Sequence, residues 1–156
     1  MSDYTKIEFR HRRMQQLEDV TDLVAILFPG NANQQHAAAR ILIELKSTED
    51  LVPCMAHLER NHDISRRTLQ RTRAKLAKLG LIERISWMNT RYGGREGWRL
   101  STRFGAGLRR LAAFTDQWAQ RREPEKLMRD EVLAGLLDRG VVRLPARGPP
   151  LRTGYP

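Results

Sequence analysis

Apolar residues recur every three or four positions along the first third of the chain, the spacing that puts them on one face of an α-helix. This pattern predicts a first helix from Arg10 to Phe28, ended by Pro29 and Gly30, and a second from about 33 to 46. A short third helix is predicted from about 49 to 60, because a proline is tolerated in a first helical turn.

The helix that follows has well-defined ends. Ser65 is a predicted N-cap, and Ile64 before it can pack on Leu69 in a hydrophobic staple. Gly80 suits the left-handed residue that closes a helix, so the helix is predicted from Arg66 to Leu79. Its apolar side carries Leu69, Thr72, Leu76 and Leu79.

After this helix the hydrophobic period changes to two, as in a β-strand. Alternation around Ile85 and Trp87, and again around Trp98 and Leu100, predicts a hairpin with its tip at about 90 to 97. We expect both tryptophans to lie in the core. The fold class is therefore mainly α with a small β-hairpin, an α+β arrangement.

Two further helices are predicted, at about 106 to 122 and from Pro124 onward. The last stretch, 140–156, is rich in proline, glycine and arginine, and we expect it to be poorly ordered alone.

The chain therefore divides into a helical arm (1–30), a central domain (31–104), C-terminal helices (105–139) and a tail. The two terminal segments carry more apolar faces than one small core requires. We expect these faces to form the interface of a homodimer.

Positive charge is concentrated in one third of the chain. Residues 60–110 contain fourteen Lys and Arg against three Asp and Glu, a balance of +11, whereas the other 105 residues sum to −1. A local field of this kind suits a polyanion, which predicts a nucleic-acid partner.

Other classes of function find little support in the residues. No apolar run approaches the roughly 18 to 20 residues that cross a bilayer, so no membrane partner and a cytoplasmic location are expected. Cys54, His57 and His62 could supply three zinc ligands but lack a fourth, so we expect no metal and no cofactor. Because no catalytic motif is present, we do not expect an enzyme.

The runs from Ile64 to Arg71 and from Leu76 to Arg84 resemble the recognition helix and following strand of the MarR and PadR families of transcription regulators. Residues 93–101 look like their wing and its return strand. The resemblance implies a winged helix-turn-helix fold that binds double-stranded DNA.

The predicted recognition helix, 66–79, has matching chemistry on its polar side. Arginine can bond guanine and glutamine can bond adenine in the major groove, while a small residue lets the helix approach the bases closely. The residues on this side are Arg67, Gln70, Arg71, Ala74 and Lys78, with Ser65 and Thr68 at the start and Arg66, Arg73 and Lys75 on the flanks.

The predicted wing, about 88–98, combines cations with an aromatic residue on a glycine-containing loop that can lie on a minor groove or along the backbone. Its candidate DNA contacts are Arg91, Tyr92, Arg95 and Arg99.

The function expected is a homodimeric transcription regulator, more often a repressor, that reads two half-sites about one helical turn apart. Two alternatives stay open because a fold does not fix a function. One is a replication, partition or transposition accessory protein, and the other is a protein-interaction adaptor. A small-molecule effector is possible, but no polar cluster identifies one.

Overall fold

The structure, a computed structural model, describes residues 6–138. Within that range the chain forms seven α-helices and two β-strands. They are α1 (His11–Met14), α2 (Val20–Leu27), α3 (Ala32–Ser47), α4 (His57–Asn61), α5 (Arg66–Leu79), β1 (Ile82–Ile85), β2 (Gly97–Leu100), α6 (Arg103–Gln120) and α7 (Pro124–Asp138). The chain divides into two compact units, Met1–Arg110 and Leu111–Pro156. The predicted tail, 140–156, lies outside the described residues.

The N-terminal segment contains two helices, so the prediction of one helix from Arg10 to Phe28 was wrong. A capping box starts a new helix at Val20: the Asp19 carboxylate accepts hydrogen bonds from the backbone N–H groups of Thr21 (2.8 Å) and Asp22 (3.2 Å), and the Asp22 carboxylate accepts one from the N–H of Asp19. The Thr21 hydroxyl also donates to Asp19, and these bonds lower the pKa of Asp19.

The core of the first unit is formed mainly by α2, α3 and α5. Ala37 and Ala38 are fully buried on α3, and their small side chains let the helix pack closely against its neighbours. Val24, Leu27 and Phe28 belong to the same core, so the expected separate arm (1–30) is in part a core element. Its apolar face is therefore not surplus surface.

The segment between α3 and α4 is not the helix predicted from 49 to 60, which is reduced to α4. Val52 instead pairs antiparallel with Trp98, through two backbone hydrogen bonds of 2.9 and 2.8 Å. A β-carbon at Gly97 would lie only 2.9 Å from the Val52 carbonyl oxygen, so this close approach requires glycine. The bridge fastens the hairpin to the core.

Helix α5 has the predicted bounds and both predicted end signals. The Ser65 hydroxyl accepts a hydrogen bond from the N–H of Thr68 at 3.1 Å, and Gly80 adopts the left-handed conformation (φ 85°). Ile64 and Leu69 are both buried, as a hydrophobic staple requires. Leu76 is fully buried, and truncating such a residue to alanine typically costs about 2–5 kcal/mol.

The hairpin is shorter than predicted. Strands β1 and β2 are antiparallel with Glu83 opposite Arg99, and β1 ends at Ile85. Trp87 therefore lies beyond the strand and is 66% exposed, so its prediction as a core residue was wrong. Trp98 is partly buried against the core, as predicted.

Helices α6 and α7 have nearly the bounds predicted for the C-terminal pair. The predicted boundary between 104 and 105 falls inside α6, because Phe104 at its start packs on the core of the first unit. In the second unit the Trp118 indole N–H donates a 2.9 Å hydrogen bond to Asp130, which links α6 to α7. Large apolar side chains of this unit are exposed; they are Leu111, Phe114, Trp118, Leu127, Met128, Val132, Leu133 and Leu137.

Candidate nucleic-acid interface

The predicted reading side of α5 faces away from the core. Buried Leu69, Thr72 and Leu76 occupy the opposite side of the helix. All five predicted reading residues are exposed, as is the flanking Arg66; the five are Arg67, Gln70, Arg71, Ala74 and Lys78. Within residues 6–138 no carboxylate pairs with Arg66, Arg67 or Arg71, so their guanidinium groups are available to an external acceptor.

The start of α5 is held by local contacts. Asp63 adopts a positive φ of 52°, which turns the chain sharply between α4 and α5. Ser65 and Thr68, both predicted DNA contacts, are joined because the Ser65 hydroxyl donates to the Thr68 hydroxyl oxygen at 2.8 Å. These two side chains fix the start of the helix; Ser65 is exposed and Thr68 is partly buried.

Lys75, predicted to contact a phosphate from the flank of α5, is bonded to other parts of the protein. Its ammonium donates hydrogen bonds to the carbonyl oxygens of Leu27 and of Lys6, the latter at 2.8 Å, and lies 4.4 Å from the centre of the Phe28 ring. Partial burial lowers its pKa. The Lys75 ammonium therefore stabilises the C-terminal end of α2, because the last carbonyl groups of a helix have no hydrogen-bond partner within the helix.

Arg73, predicted to flank the reading side, lies over the ring of Trp98 with its guanidinium carbon 4.9 Å from the ring centre. A cation–π contact of this geometry links α5 directly to β2. Arg73 is half-buried, so it positions the hairpin beside the helix.

The hairpin cations differ in their availability. Arg95 pairs with the Asp50 carboxylate, and Arg99 pairs with Glu83 at 2.5 Å. Arg99 also donates a hydrogen bond to the Tyr92 hydroxyl and stacks on that ring at 5.2 Å. The side chain of Arg91 is exposed and has no partner within residues 6–138.

The Asp50 carboxylate has a second hydrogen bond besides its ion pair with Arg95. Its pKa is lowered chiefly by a hydrogen bond from the backbone N–H of Leu51, and only then by Arg95. The Asp50 carboxylate is therefore ionised at neutral pH and neutralises the charge of Arg95. Because Arg91 has no such carboxylate within residues 6–138, it is the hairpin cation most available to an external anion.

An apolar pair at the end of β1 was missed by the sequence reasoning. Trp87 and Met88 are 66% and 72% exposed, and both precede the short 3₁₀ turn Thr90–Tyr92. The alternation of apolar and polar residues continues through Trp87 and so disguised the end of the strand. The polar run Asn89-Thr90-Arg91 directly after it was the available signal.

The histidines near Cys54 have other partners. The His57 imidazole lies 2.9 Å from a Glu44 carboxylate oxygen, and partial desolvation lowers the pKa of His62. Over the described range 6–138, no three His, Cys, Asp or Glu side chains come together in a group that could hold a metal ion. In the same range no helix has the length and apolar character needed to span a membrane.

Comparison with known proteins gives no relative from which a function could be inferred. No protein-family model, no curated protein and no solved structure matches this chain.

Proposed function

We propose that this chain is a winged helix-turn-helix protein that binds double-stranded DNA sequence-specifically and regulates transcription, most simply as a repressor that occupies promoter DNA. The observation that carries the proposal is the outward side of α5. There Arg67, Gln70 and Arg71 are exposed around the small Ala74, a combination that fits direct contact with base edges in a major groove.

The hairpin supports the proposal by its position. Arg73 holds β2 against α5 through Trp98, and the Val52 bridge fastens the same strand to the core. A helix in the major groove would therefore carry a fixed hairpin with it, and exposed Arg91 would reach a neighbouring backbone or minor groove. Trp87 and Met88 precede Arg91 in the hairpin and are exposed, and proteins that bind the minor groove insert apolar side chains such as methionine between base steps.

A homodimer completes the proposal. The apolar residues of α6 and α7 in the second unit are too numerous to be left in water, since exposed apolar patches usually mark interaction sites. A second copy of the same helices is the simplest partner, and a two-fold axis would then place two α5 helices on an inverted repeat.

Binding to a pool of random duplex DNA, followed by selection and sequencing of the retained fraction, tests the proposal. An enriched inverted repeat is the expected result. Retention without enrichment would favour an architectural role in replication, partition or transposition, and no retention at all would reject DNA binding in favour of a protein adaptor.

A further inference from the structure

A polar cleft of about 480 Å³ lies between α5, β1 and the turn of the hairpin. Its volume falls in the range of small-molecule sites. Four arginines contribute to its lining, against a single carboxylate; they are Arg84, Arg91, Arg99 and Arg103, with Glu83. All of these residues belong to the first unit.

The positive charge in the cleft exceeds what its acids neutralise. Glu83 is shared between Arg99 at 2.5 Å and Arg103 at 3.4 Å, and its side chain is only 13% exposed. Arg84 has a looser, exposed contact of 3.6 Å with Glu96. The four arginines carry four positive charges and the two carboxylates, Glu83 and Glu96, carry two negative ones, so a net charge of +2 remains.

Two of the four arginines in the cleft, Arg99 and Arg103, are already bonded to a carboxylate without any ligand. Glu83 fixes Arg99 and Arg103, and the Arg99 guanidinium lies on the Tyr92 ring. Tyr92 accepts a hydrogen bond from Arg99 through its hydroxyl oxygen, so the hydroxyl proton can be donated elsewhere. Pre-ordered donors lose little entropy when they bind an anion.

We propose that this cleft binds a phosphate group. Arginine forks match phosphate oxygens, and a charge-assisted bond from each is about twice as strong as a neutral one. Arg91 also lines the cleft. Its guanidinium group is exposed and has no partner within residues 6–138. The phosphate comes either from a DNA backbone beside α5 or from a phosphorylated small molecule, and the first source rests on the proposed function.

The first arm of the test uses inorganic pyrophosphate, titrated into the full-length chain by calorimetry against NaCl at matched ionic strength. Saturable binding is expected in pyrophosphate and not in NaCl. Arg91→Ala and Arg103→Ala should each weaken it about tenfold or more, as expected for loss of a hydrogen bond to a charged group. Arg12→Ala, which changes an exposed arginine of α1, should leave it unchanged.

The second arm measures the affinity for a 20-base-pair duplex between about 50 and 200 mM salt. If the phosphate belongs to DNA, Arg91→Ala and Arg103→Ala should each reduce the slope of log K against log salt by about 0.9, while Arg12→Ala should not. Pyrophosphate binding that both variants weaken, together with unchanged slopes, assigns the cleft to a small ligand instead.

Changed slopes without pyrophosphate binding assign the cleft to the DNA backbone. The inference is overturned if the slopes of both variants equal that of the original protein and pyrophosphate either does not bind or binds both variants as tightly as the original. Because pyrophosphate binding does not require DNA, the cleft can be confirmed even if the proposed function fails.

Discussion

Arg73 and Trp98 bring α5 and β2 together, with the guanidinium carbon 4.9 Å from the ring centre. The same tryptophan carries the backbone bridge to Val52, so one residue joins the helix, the hairpin and the segment before α4. The exposed side of α5 and the hairpin are therefore presented as one surface. Changes on that surface should affect binding without unfolding the protein.

The first prediction concerns the outward arginines of α5. Replacement of Arg67 or Arg71 by alanine should weaken binding to the selected DNA sequence by about 1–3 kcal/mol and relax the sequence preference at one position. Affinities for the selected duplex and its single-base variants measure both effects. Arg12→Ala is the matched control, and an Arg67→Ala protein with unchanged affinity and preference would disprove the assignment of the reading side.

Trp87 should respond directly to DNA. The protein can be labelled with 5-fluorotryptophan, and the three fluorine resonances assigned with single Trp-to-Phe variants. Because Trp87 is exposed on the hairpin, we expect its resonance to shift on addition of duplex DNA. The resonance of Trp118, which is also exposed but lies at a distant position in the sequence, is the control and should not shift. Excess salt should abolish the shift of the Trp87 resonance. A Trp87 resonance that never moves would remove this residue from the interface.

Thr72 provides a test of packing in α5. It is fully buried, and its hydroxyl oxygen has no hydrogen-bond partner within residues 6–138. Thr72→Val removes this buried polar group with little change of shape, so the free energy of unfolding should rise by about 1 kcal/mol. Urea denaturation measures the change. Thr115→Val, at an exposed site on α6, should alter stability by less than about 0.5 kcal/mol, and a destabilised Thr72→Val protein would indicate that the hydroxyl has a partner.

Lys75 should make the free energy of unfolding depend on pH. Its folded pKa is lowered below the ordinary 10.5 by desolvation, so between the two values the unfolded chain binds more protons than the folded one. The free energy of unfolding should therefore rise with pH across that window. The rise should be absent in Lys75→Met and retained in Lys46→Met, an exposed control on α3, when each is followed by denaturation. Identical pH profiles for all three proteins would contradict the lowered pKa.

The second unit should control the oligomeric state. Phe114→Glu places a charge among exposed apolar residues, so we expect it to convert a dimer into a monomer in sedimentation velocity. Gln120→Glu adds the same charge at the end of α6 and should leave the dimer intact. If the original protein is itself a monomer at all concentrations tested, the proposed homodimer is wrong.

The elements that the sequence predicted well are those whose ends are specified locally. Ser65 and Gly80 set the two ends of α5, and both signals lie within a few residues of the helix they bound. The prediction failed at residue 52, because Val52 pairs with Trp98, which is distant in the sequence and gives no local sign. It failed again at α2, where apolar spacing continued across the capping box of Asp19.

The candidate site was predictable in part for a similar reason. Sequence patterns identified which side of α5 is exposed, because a helical period fixes that side relative to the core. They did not reveal which cations meet carboxylates or carbonyls, since Lys75, Arg95 and Arg99 find their partners through tertiary contacts. The positive charge of Lys75 suggested a phosphate contact, but its ammonium is hydrogen-bonded to the backbone carbonyls of Lys6 and Leu27.

The bond from Lys75 to the carbonyl of Lys6 has a practical consequence for experiments. Any peptide joined ahead of Lys6 is attached to a residue that is hydrogen-bonded to α5 itself. An affinity tag at that end would therefore be tethered, through Lys6, to the helix whose arginines it is meant to leave undisturbed. A tag rich in acidic residues would compete with the proposed DNA ligand for these arginines, so affinities are best measured after its removal.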